Sequence, residues 1–395
     1  MAKLTLKDID LKNKTVLVRA DFNVPQDEAL NITDDTRIRG TLPTLKYILQ
    51  NGAKKLVIIS HLGRPDGKQV AKYSLKPVAD RLKQLLGEDV LFLNDCVGVN
   101  IKKDIDEATQ KVVLLENLRF HAEEEANDLG FAKQLASLAD VFVNDAFGSA
   151  HRAHASTEGI THYLKSAAGF LLEKEIKYLG SAVENPRKPF MVILGGSKVS
   201  DKIGVIENLL PKCDCIIVGG GMAYTFLKAQ GKQIGNSKLE KDKLELAKTI
   251  LDKAHKLSKD ILLPIDNIAV EAIKADAKIE IVGENIPDGL IAVDIGPKTI
   301  KLFEEKLKSA KTIVWNGPVG IFEMDAFSHG TQELAKFIAG LDCVSVIGGG
   351  DTAAAIAKFK LEDKMTHIST GGGASLEFLE GKILPGIAAL TDAPR

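Results

Sequence analysis

Five times in its second half, this chain runs from a short apolar segment straight into glycine. The sharpest case is Val344-Ser345-Val346-Ile347, followed by Gly348-Gly349-Gly350, then Asp351, Thr352 and three alanines that favour helix. Val192-Ile193-Leu194-Gly195-Gly196, Ile217-Val218-Gly219-Gly220-Gly221, Trp315-Asn316-Gly317-Pro318 and Ser369-Thr370-Gly371-Gly372-Gly373 repeat the arrangement. An unbroken apolar run of strand length fits a strand buried on both faces. Glycine lets a backbone come close to a phosphate, and a helix start presents N–H groups without intrahelical partners. One glycine pair after a strand is usually a tight turn; five in one domain call for a ligand. Asp351 would repel phosphate by itself, so a divalent cation between the two is implied. None of the loops has the Walker pattern or a dinucleotide fingerprint, which leaves a magnesium-bound nucleotide held by another kind of loop.

The same rhythm extends over the whole chain. In the first half, strands are predicted at 15–19, 55–60, 90–93, 112–116 and 141–144, with helical patterns at 41–51 and 75–86 between them. In the second half, strands are predicted at 190–194, 215–218, 261–264, 292–294, 312–315, 344–347 and 365–369. Apolar strands separated by helices specify parallel sheets covered on both faces, hence an α/β chain. At 395 residues it exceeds one ordinary core, and two doubly wound domains are predicted. The boundary is expected between Phe170 and Pro189, where a charged helix at 173–179 gives way to Asn185-Pro186-Arg187-Lys188-Pro189, which no helix crosses.

A formal net charge of -1 gives no global field for nucleic acid or an acidic membrane. No apolar stretch approaches bilayer length, and the N-terminal segment has no apolar core of signal-peptide length, so a cytoplasmic protein is expected. Cys213 and Cys215 form a C-x-C, but no second cysteine pair or nearby histidine completes a zinc set. They and Cys96 and Cys343 read as reduced thiols.

The two halves differ in the residues at the C-terminal ends of their strands. In the first, the strand ends carry Asp21 and Asn23, His61 and Arg64, Arg119, and Arg152, with Arg37 just before a helical run. A mouth lined by Arg37, His61, Arg64, Arg119 and Arg152 suits a small polyanion, because guanidinium binds phosphate or carboxylate through a planar fork. Each alone could be a solvated surface residue; the set is not easily a coincidence. Asp21 and Asn23 could orient hydroxyl groups, or simply form the turn before Pro25. His61 is expected to hydrogen-bond an anion rather than carry protons, with converging arginines lowering its proton affinity. In the second half, Lys198 and Lys202 lie four apart and would share a face if helical, where they suit phosphate oxygens. Glu323 could accept from ribose hydroxyls, and 371–373 could donate N–H groups to a transferring group.

Taken in order, these segments resemble the phosphoglycerate kinase family. Residues 19–25 (RADFNVP), 60–65 (SHLGRP), 116–120 (ENLRF) and 148–157 (GSAHRAHAST) are similar to its N-terminal motifs. Residues 195–202 (GGSKVSDK), 315–319 (WNGPV), 348–352 and 369–375 are similar to its C-terminal ones; Ser197 stands where the family more often has Ala. The resemblance implies two doubly wound parallel-sheet domains joined by a hinge helix. By it, residues 1–172 bind phosphoglycerate, 173–188 connect, 189–377 bind nucleotide, and about 378–395 pack back on the first domain. It implies Asp21, Asn23, Arg37, His61, Arg64, Arg119 and Arg152 for the substrate. It implies Gly195, Gly196, Lys198, Lys202, Asn316, Glu323, Gly349, Gly350, Asp351 and Thr352 for ADP or ATP, with Asp351 on Mg²⁺. Arg37, Lys198, Gly371 and Gly372 would stabilise the transferring group. The partners implied are 3-phosphoglycerate, 1,3-bisphosphoglycerate and ADP/ATP, with no nucleic acid or membrane, and a monomer.

Two other readings remain at this point. An acetate- or aspartate-type acyl kinase accounts for the nucleotide half but not for so many arginines in the other. A catalytically silent metabolite sensor would tolerate loss of Arg37, Lys198 or Asp351, and all three are present.

Overall fold

The structure is a computed structural model that describes residues 3–394. The chain divides into two compact units, one formed by residues 1–176 together with 383–395, the other by 177–382.

The first unit is built on a six-stranded parallel sheet. Its strands are β1 (Thr15–Arg19), β2 (Lys55–Ile59), β3 (Val90–Leu93), β4 (Val112–Leu115), β5 (Val141–Asn144) and β6 (Ser166–Ala168), in the order β3-β4-β2-β1-β5-β6. Val16 and Val18 of β1 pack into one apolar cluster with Leu56 and Ile58 of β2. The alternate residues Leu17, Val57 and Ile59 pack into another. Side chains two apart share a face, so a strand feeding two cores must be apolar throughout, which is why these segments read as unbroken runs. β1 is flanked by β2 and β5, and the polar motifs lie just beyond the C-terminal ends of these strands. Ligands of open α/β sheets bind at that edge.

The helix that carries Arg37 spans Thr36–Gln50, so Arg37 lies in its first turn rather than before it. Asp34 Oδ1 accepts from the Thr36 N–H at 2.8 Å and holds the start of the helix five residues ahead of the apolar pattern visible in the sequence.

The second unit contains β7 (Phe190–Leu194), β8 (Cys215–Val218), β9 (Asp260–Leu262), β13 (Thr312–Asn316), β14 (Val344–Gly348) and β15 (His367–Ile368) in one parallel sheet. Between β9 and β13 lie β10 (Asp266–Val270), β11 (Glu280–Gly283) and β12 (Ile291–Ile295), a separate antiparallel sheet in the order β11-β10-β12. Here the structure departs from the sequence reading. The run 292–294 belongs to this small sheet, and β10 and β11 had no apolar signature. Most of β11 is exposed, as an antiparallel edge strand with one wet face can be. The run 365–369 yields only the two-residue β15.

A helix from Phe170 to Glu184 runs through the boundary between the units, longer at both ends than the predicted 173–179. Asp145 Oδ1 accepts from the N–H groups of Leu171 at 2.9 Å and Leu172 at 3.3 Å, and Thr44 Oγ1 accepts from Phe170. Burial raises the Asp145 carboxyl to about 6. The tail departs from expectation in its start. Residues 378–382 lie in the second unit, where Asn208 donates to the Leu379 carbonyl at 2.7 Å, and the tail of the first unit begins at Ile383. From there Asn144 Nδ2 donates to the Gly386 carbonyl at 2.9 Å, and Gly386 N–H to Ala150 O at 2.9 Å. The tail thereby braces the loop that leads to Arg152.

Asp294, on β12, is 1% exposed and accepts from the N–H groups of Ile295 and Gly330. Burial outweighs those bonds and raises its carboxyl to about 7. The folded protein therefore keeps a proton that the unfolded chain releases near pH ~4, and stability falls as pH rises through that window. The slope expected from this one group is ~1.4 kcal/mol per pH unit. Urea unfolding at several pH values checks this: Asp294→Asn should flatten the decline, and an unchanged slope would assign it to other groups.

Candidate functional site

In the first unit, the site is organised by Arg19, the last residue of β1, which is 1% exposed. Its Nε donates to Ser156 Oγ at 2.9 Å, one terminal nitrogen donates to the Ala20 carbonyl, and the other lies 3.1 Å from His61 Nδ1. Ser156 passes the contact on: its Oγ donates to Glu124 Oε1 at 2.6 Å, and its N–H to Glu124 Oε2 at 3.0 Å. Glu124 is fully buried, so a hydrogen-bonded network joins two buried ionisable side chains through Ser156.

The network determines the state of His61. Guanidinium has donors only, so Nδ1 must accept, and the ring proton resides on Nε2. Burial, and after it the charges of Arg19, Arg119 and Arg37, hold the imidazole well below its ordinary pKa. His61 is thus a neutral ring whose Nε2–H serves as a donor. His154 is lowered to about 3, again by burial first and then Arg19 and Arg119, so its 3.8 Å approach to Glu124 is not an ion pair.

Most of the predicted substrate residues meet around this centre. Arg37 pairs with Asp21 Oδ1 at 2.7 Å, and the same oxygen accepts from the Asn23 N–H at 3.2 Å. Asn23 Oδ1 accepts from Gly63 N–H at 2.9 Å, and Gly63 O accepts from Arg119 at 2.8 Å. Arg119 Nε is buried and has no hydrogen-bond partner, although Glu125 Oε1 lies 3.3 Å away. The same Glu125 oxygen is 3.9 Å from Arg152. Arg64 is exposed, and among the described residues nothing fixes its side chain.

In the second unit, the glycines do two different jobs. A Cβ on Gly195 would sit 2.1 Å from Pro318 O, and one on Gly317 would sit 2.2 Å from Gly195 O. These two loops therefore pack backbone against backbone, tied by Gly195 N–H to Asn316 O at 3.0 Å and Gly196 N–H to Pro318 O at 3.0 Å. By contrast, nothing lies within 4 Å of a Cβ on Gly196, Gly350 or Gly372, so backbone there faces open space. Gly349 has φ +87 and starts the helix Gly350–Lys358, with Asp351 exposed in its first turn and Thr352 buried. Thr352 Oγ1 accepts from Gly317 N–H at 2.7 Å, which joins the β13 and β14 loops. Lys202 donates to Asn316 Oδ1, while Asn316 Nδ2 is buried without a partner. Burial lowers the Lys202 ammonium, and Asp201, Asp351 and Glu380 counter it, which places Asp351 within electrostatic reach.

Two expectations change. Residues 195–202 form a loop and the helix begins at Ile203, so Lys198 and Lys202 do not share a helical face. The reason is Glu240, whose carboxylate accepts from Val199 N–H at 2.5 Å, Ser200 N–H at 3.1 Å and Ser200 Oγ at 2.6 Å and holds the chain in a turn. Lys198 is exposed on that turn. The Gly371 N–H already donates to Ser369 Oγ at 3.2 Å, so Gly372 is the freer donor of that loop. Glu323 is exposed, and only its backbone carbonyl is engaged, by Lys358. Arg19, Glu124 and Glu240 carry this geometry but were not singled out in the sequence. Their only signal was position: Arg19 ends an apolar strand.

A neutral-histidine and arginine cradle on one parallel sheet, and open glycine-edged helix starts on another, define an α/β phosphotransferase that handles a small anion and a nucleotide. The comparisons agree. The family model for phosphoglycerate kinase matches residues 6–382. A phosphoglycerate kinase of Koribacter versatilis is 58% identical, covering 99% of this chain and 100% of its own. One of Moorella thermoacetica is 56% identical, with 99% and 100% covered. The solved structure of phosphoglycerate kinase from Coxiella burnetii superposes with a TM-score of 0.91 at 44% identity, covering 98% of each chain. That from Pyrococcus horikoshii gives 0.83 at 34%, also covering 98% of each. The chain belongs to the phosphoglycerate kinase family and is a kinase of that class, acting in glycolysis and gluconeogenesis.

Removing Arg19 should strand Glu124 as an uncompensated buried charge. Arg19→Met is expected to cost about 3 kcal/mol of stability in urea unfolding. Adding Glu124→Gln should recover part of that loss. A double variant no more stable than the single one would show that Glu124 does not depend on Arg19.

Proposed function

We propose that the chain catalyses the reversible reaction of 1,3-bisphosphoglycerate with Mg-ADP to give 3-phosphoglycerate and Mg-ATP, without a general base. The observation that carries the reading is the bonded cradle of Asp21, Asn23, Arg37, His61 and Arg119, in which His61 is held as a neutral donor. Such a ring binds an anion and takes no proton from it. The chemistry requires none: an ADP oxygen attacks the acyl phosphate, the P–O bond to the acyl group breaks, and the carboxylate leaves already ionised.

In this reading Asp21, Asn23, Arg37, His61, Arg64, Arg119 and Arg152 bind the phosphoglycerate. Gly195, Gly196, Lys198, Lys202, Asn316, Glu323, Gly349, Gly350, Asp351 and Thr352 serve the nucleotide. Asp351 would hold Mg²⁺. An exposed carboxylate in a helix first turn, beside open glycine backbone, suits an ion that takes one protein oxygen and keeps phosphate and water for the rest. When bound, the ion neutralises phosphate charge. Arg37, Lys198 and the 371–372 loop stabilise charge on the transferring group. The phosphoryl group must pass between the two half-sites away from water, which calls for closure about the helix Phe170–Glu184. A cytoplasmic monomer completes the reading. No described helix is long and apolar enough to cross a membrane.

A coupled ATP-formation assay with 1,3-bisphosphoglycerate and ADP should give activity that chelator abolishes and Mg²⁺ restores. Well-folded protein without metal-dependent activity would overturn the proposal. A panel of other acyl phosphates separates it from an acetate-type kinase. Lys198→Ala should lower kcat by about 100-fold, the usual cost of one transition-state partner, while nucleotide affinity changes little. Equal losses would make Lys198 a ground-state binder. Small-angle scattering should register compaction only when both substrates are present.

A further inference from the structure

Outside the residues assigned to either half-site, three side chains of different chemistry converge at the C-terminal end of β3. Asp95 and Cys96 lie just beyond that strand, and His121 just beyond the 3₁₀ turn Leu118–Phe120. One carboxylate oxygen, the Cys96 Sγ and a ring nitrogen of His121 lie within 4.8 Å of one another. His121 Nε2 is 2.8 Å from Asp95 Oδ1, and that oxygen also accepts from the Cys96 N–H at 2.7 Å. Cys96 is 1% exposed, whereas the Asp95 and His121 side chains are 40% and 25% exposed, so the group is open to solvent on the carboxylate and imidazole side. Burial, and after it the charges of Asp95, Glu124 and Glu116, hold the Cys96 thiol well above its ordinary pKa; the same charges favour a cation that takes the place of its proton.

We propose that Asp95, Cys96 and His121 form a binding site for one thiophilic divalent cation of the zinc type, separate from the magnesium-nucleotide site. Thiolate and imidazole ligands select such an ion over Mg²⁺, which prefers oxygen only. Zinc bonds of about 2.3 Å to sulfur and about 2.0–2.1 Å to nitrogen and oxygen set ligand atoms about 3.3–3.6 Å apart in a tetrahedron. The thiol has to close by no more than about 1.2 Å from the 4.8 Å limit, and the carboxylate has to turn so that Oδ2 replaces, beside His121, the oxygen now bonded there, adjustments within reach of side-chain rotation. Asp95 Oδ2 has no protein donor among the described residues, so it can bind the ion while Oδ1 keeps the Cys96 N–H. Binding replaces the thiol proton by the metal, and the Nε2 proton that a neutral His121 now gives to Asp95 moves to Nδ1, so that sulfur, nitrogen and carboxylate oxygen each bond the ion, one proton in all goes to solvent and no electron is transferred. Water fills the fourth position.

Cobalt(II), added to the full-length chain without nucleotide, is the probe. One equivalent should produce a thiolate-to-cobalt charge-transfer band and tetrahedral visible absorption, which one equivalent of Zn²⁺ abolishes and excess Mg-ADP leaves in place. Cys96→Ser should remove the band. His121→Ala, on the open side of the group, should weaken cobalt affinity by at least about 10-fold. The Cys213→Ser/Cys215→Ser double variant should keep the band. No thiolate band in the parent chain, or a band that survives Cys96→Ser or is unmoved by His121→Ala, overturns the proposal.

Discussion

A guanidinium taken out of water needs partners for its five N–H groups, and Arg19 finds four contacts at the ends of three strands of the first unit. It reaches Ser149, Ser156, the Ala20 carbonyl and His61. Through Ser156 it meets Glu124. Because these partners end three strands or their loops, satisfying one buried charge aligns the edge where the anion cradle forms. It also chooses the His61 tautomer. Three further arginines of the cradle face acids: Arg37 faces Asp21, and Arg119 and Arg152 face Glu125, whereas Arg64 has no such partner among the described residues.

The second unit prepares for an anion differently. Its loops are joined by peptide groups, Gly195 against Gly317 and Pro318, at distances no side chain would permit. That packing leaves other glycine backbone facing solvent at helix starts, where partial positive charge is supplied without any cationic side chain. Lys202, tied to Asn316, and exposed Lys198 add full charge. Arginine forks suit a small substrate that must be gripped. Peptide groups suit a phosphate chain that passes a group on and must then leave.

Much of the fold was legible because strands buried on two faces cannot hide their composition. Val16 to Val18 and Leu56 to Ile59 feed separate cores on opposite faces, so every position is apolar. Where that constraint lapses, reading fails: β11 is largely exposed and β10 opens on the polar pair Asp266-Asn267, and the antiparallel sheet they form with β12 was not visible. Local spacing also misled at Lys198 and Lys202. Their four-residue separation is helical, but Glu240, about forty positions away, holds the segment in a turn. The start of the returning tail at Ile383 likewise depends on Asn208 and Asn144, which bind the chain on either side of it.

From the sequence alone came the alternation of apolar runs with glycine or arginine, and with it the α/β class, the two-part organisation and the residues proposed to handle the anions. These stem from burial and from side-chain chemistry, which are local. Only the tertiary structure decided that Arg19 lies beneath the cradle, that His61 is a neutral donor through Nε2, and that Asp95, Cys96 and His121 meet. The partners responsible are distant in the chain, Ser156 lying 137 residues from Arg19 and His121 lying 26 from Asp95. A proton's location depends on which distant atom the fold brings within hydrogen-bonding distance, and no periodicity in the sequence encodes that.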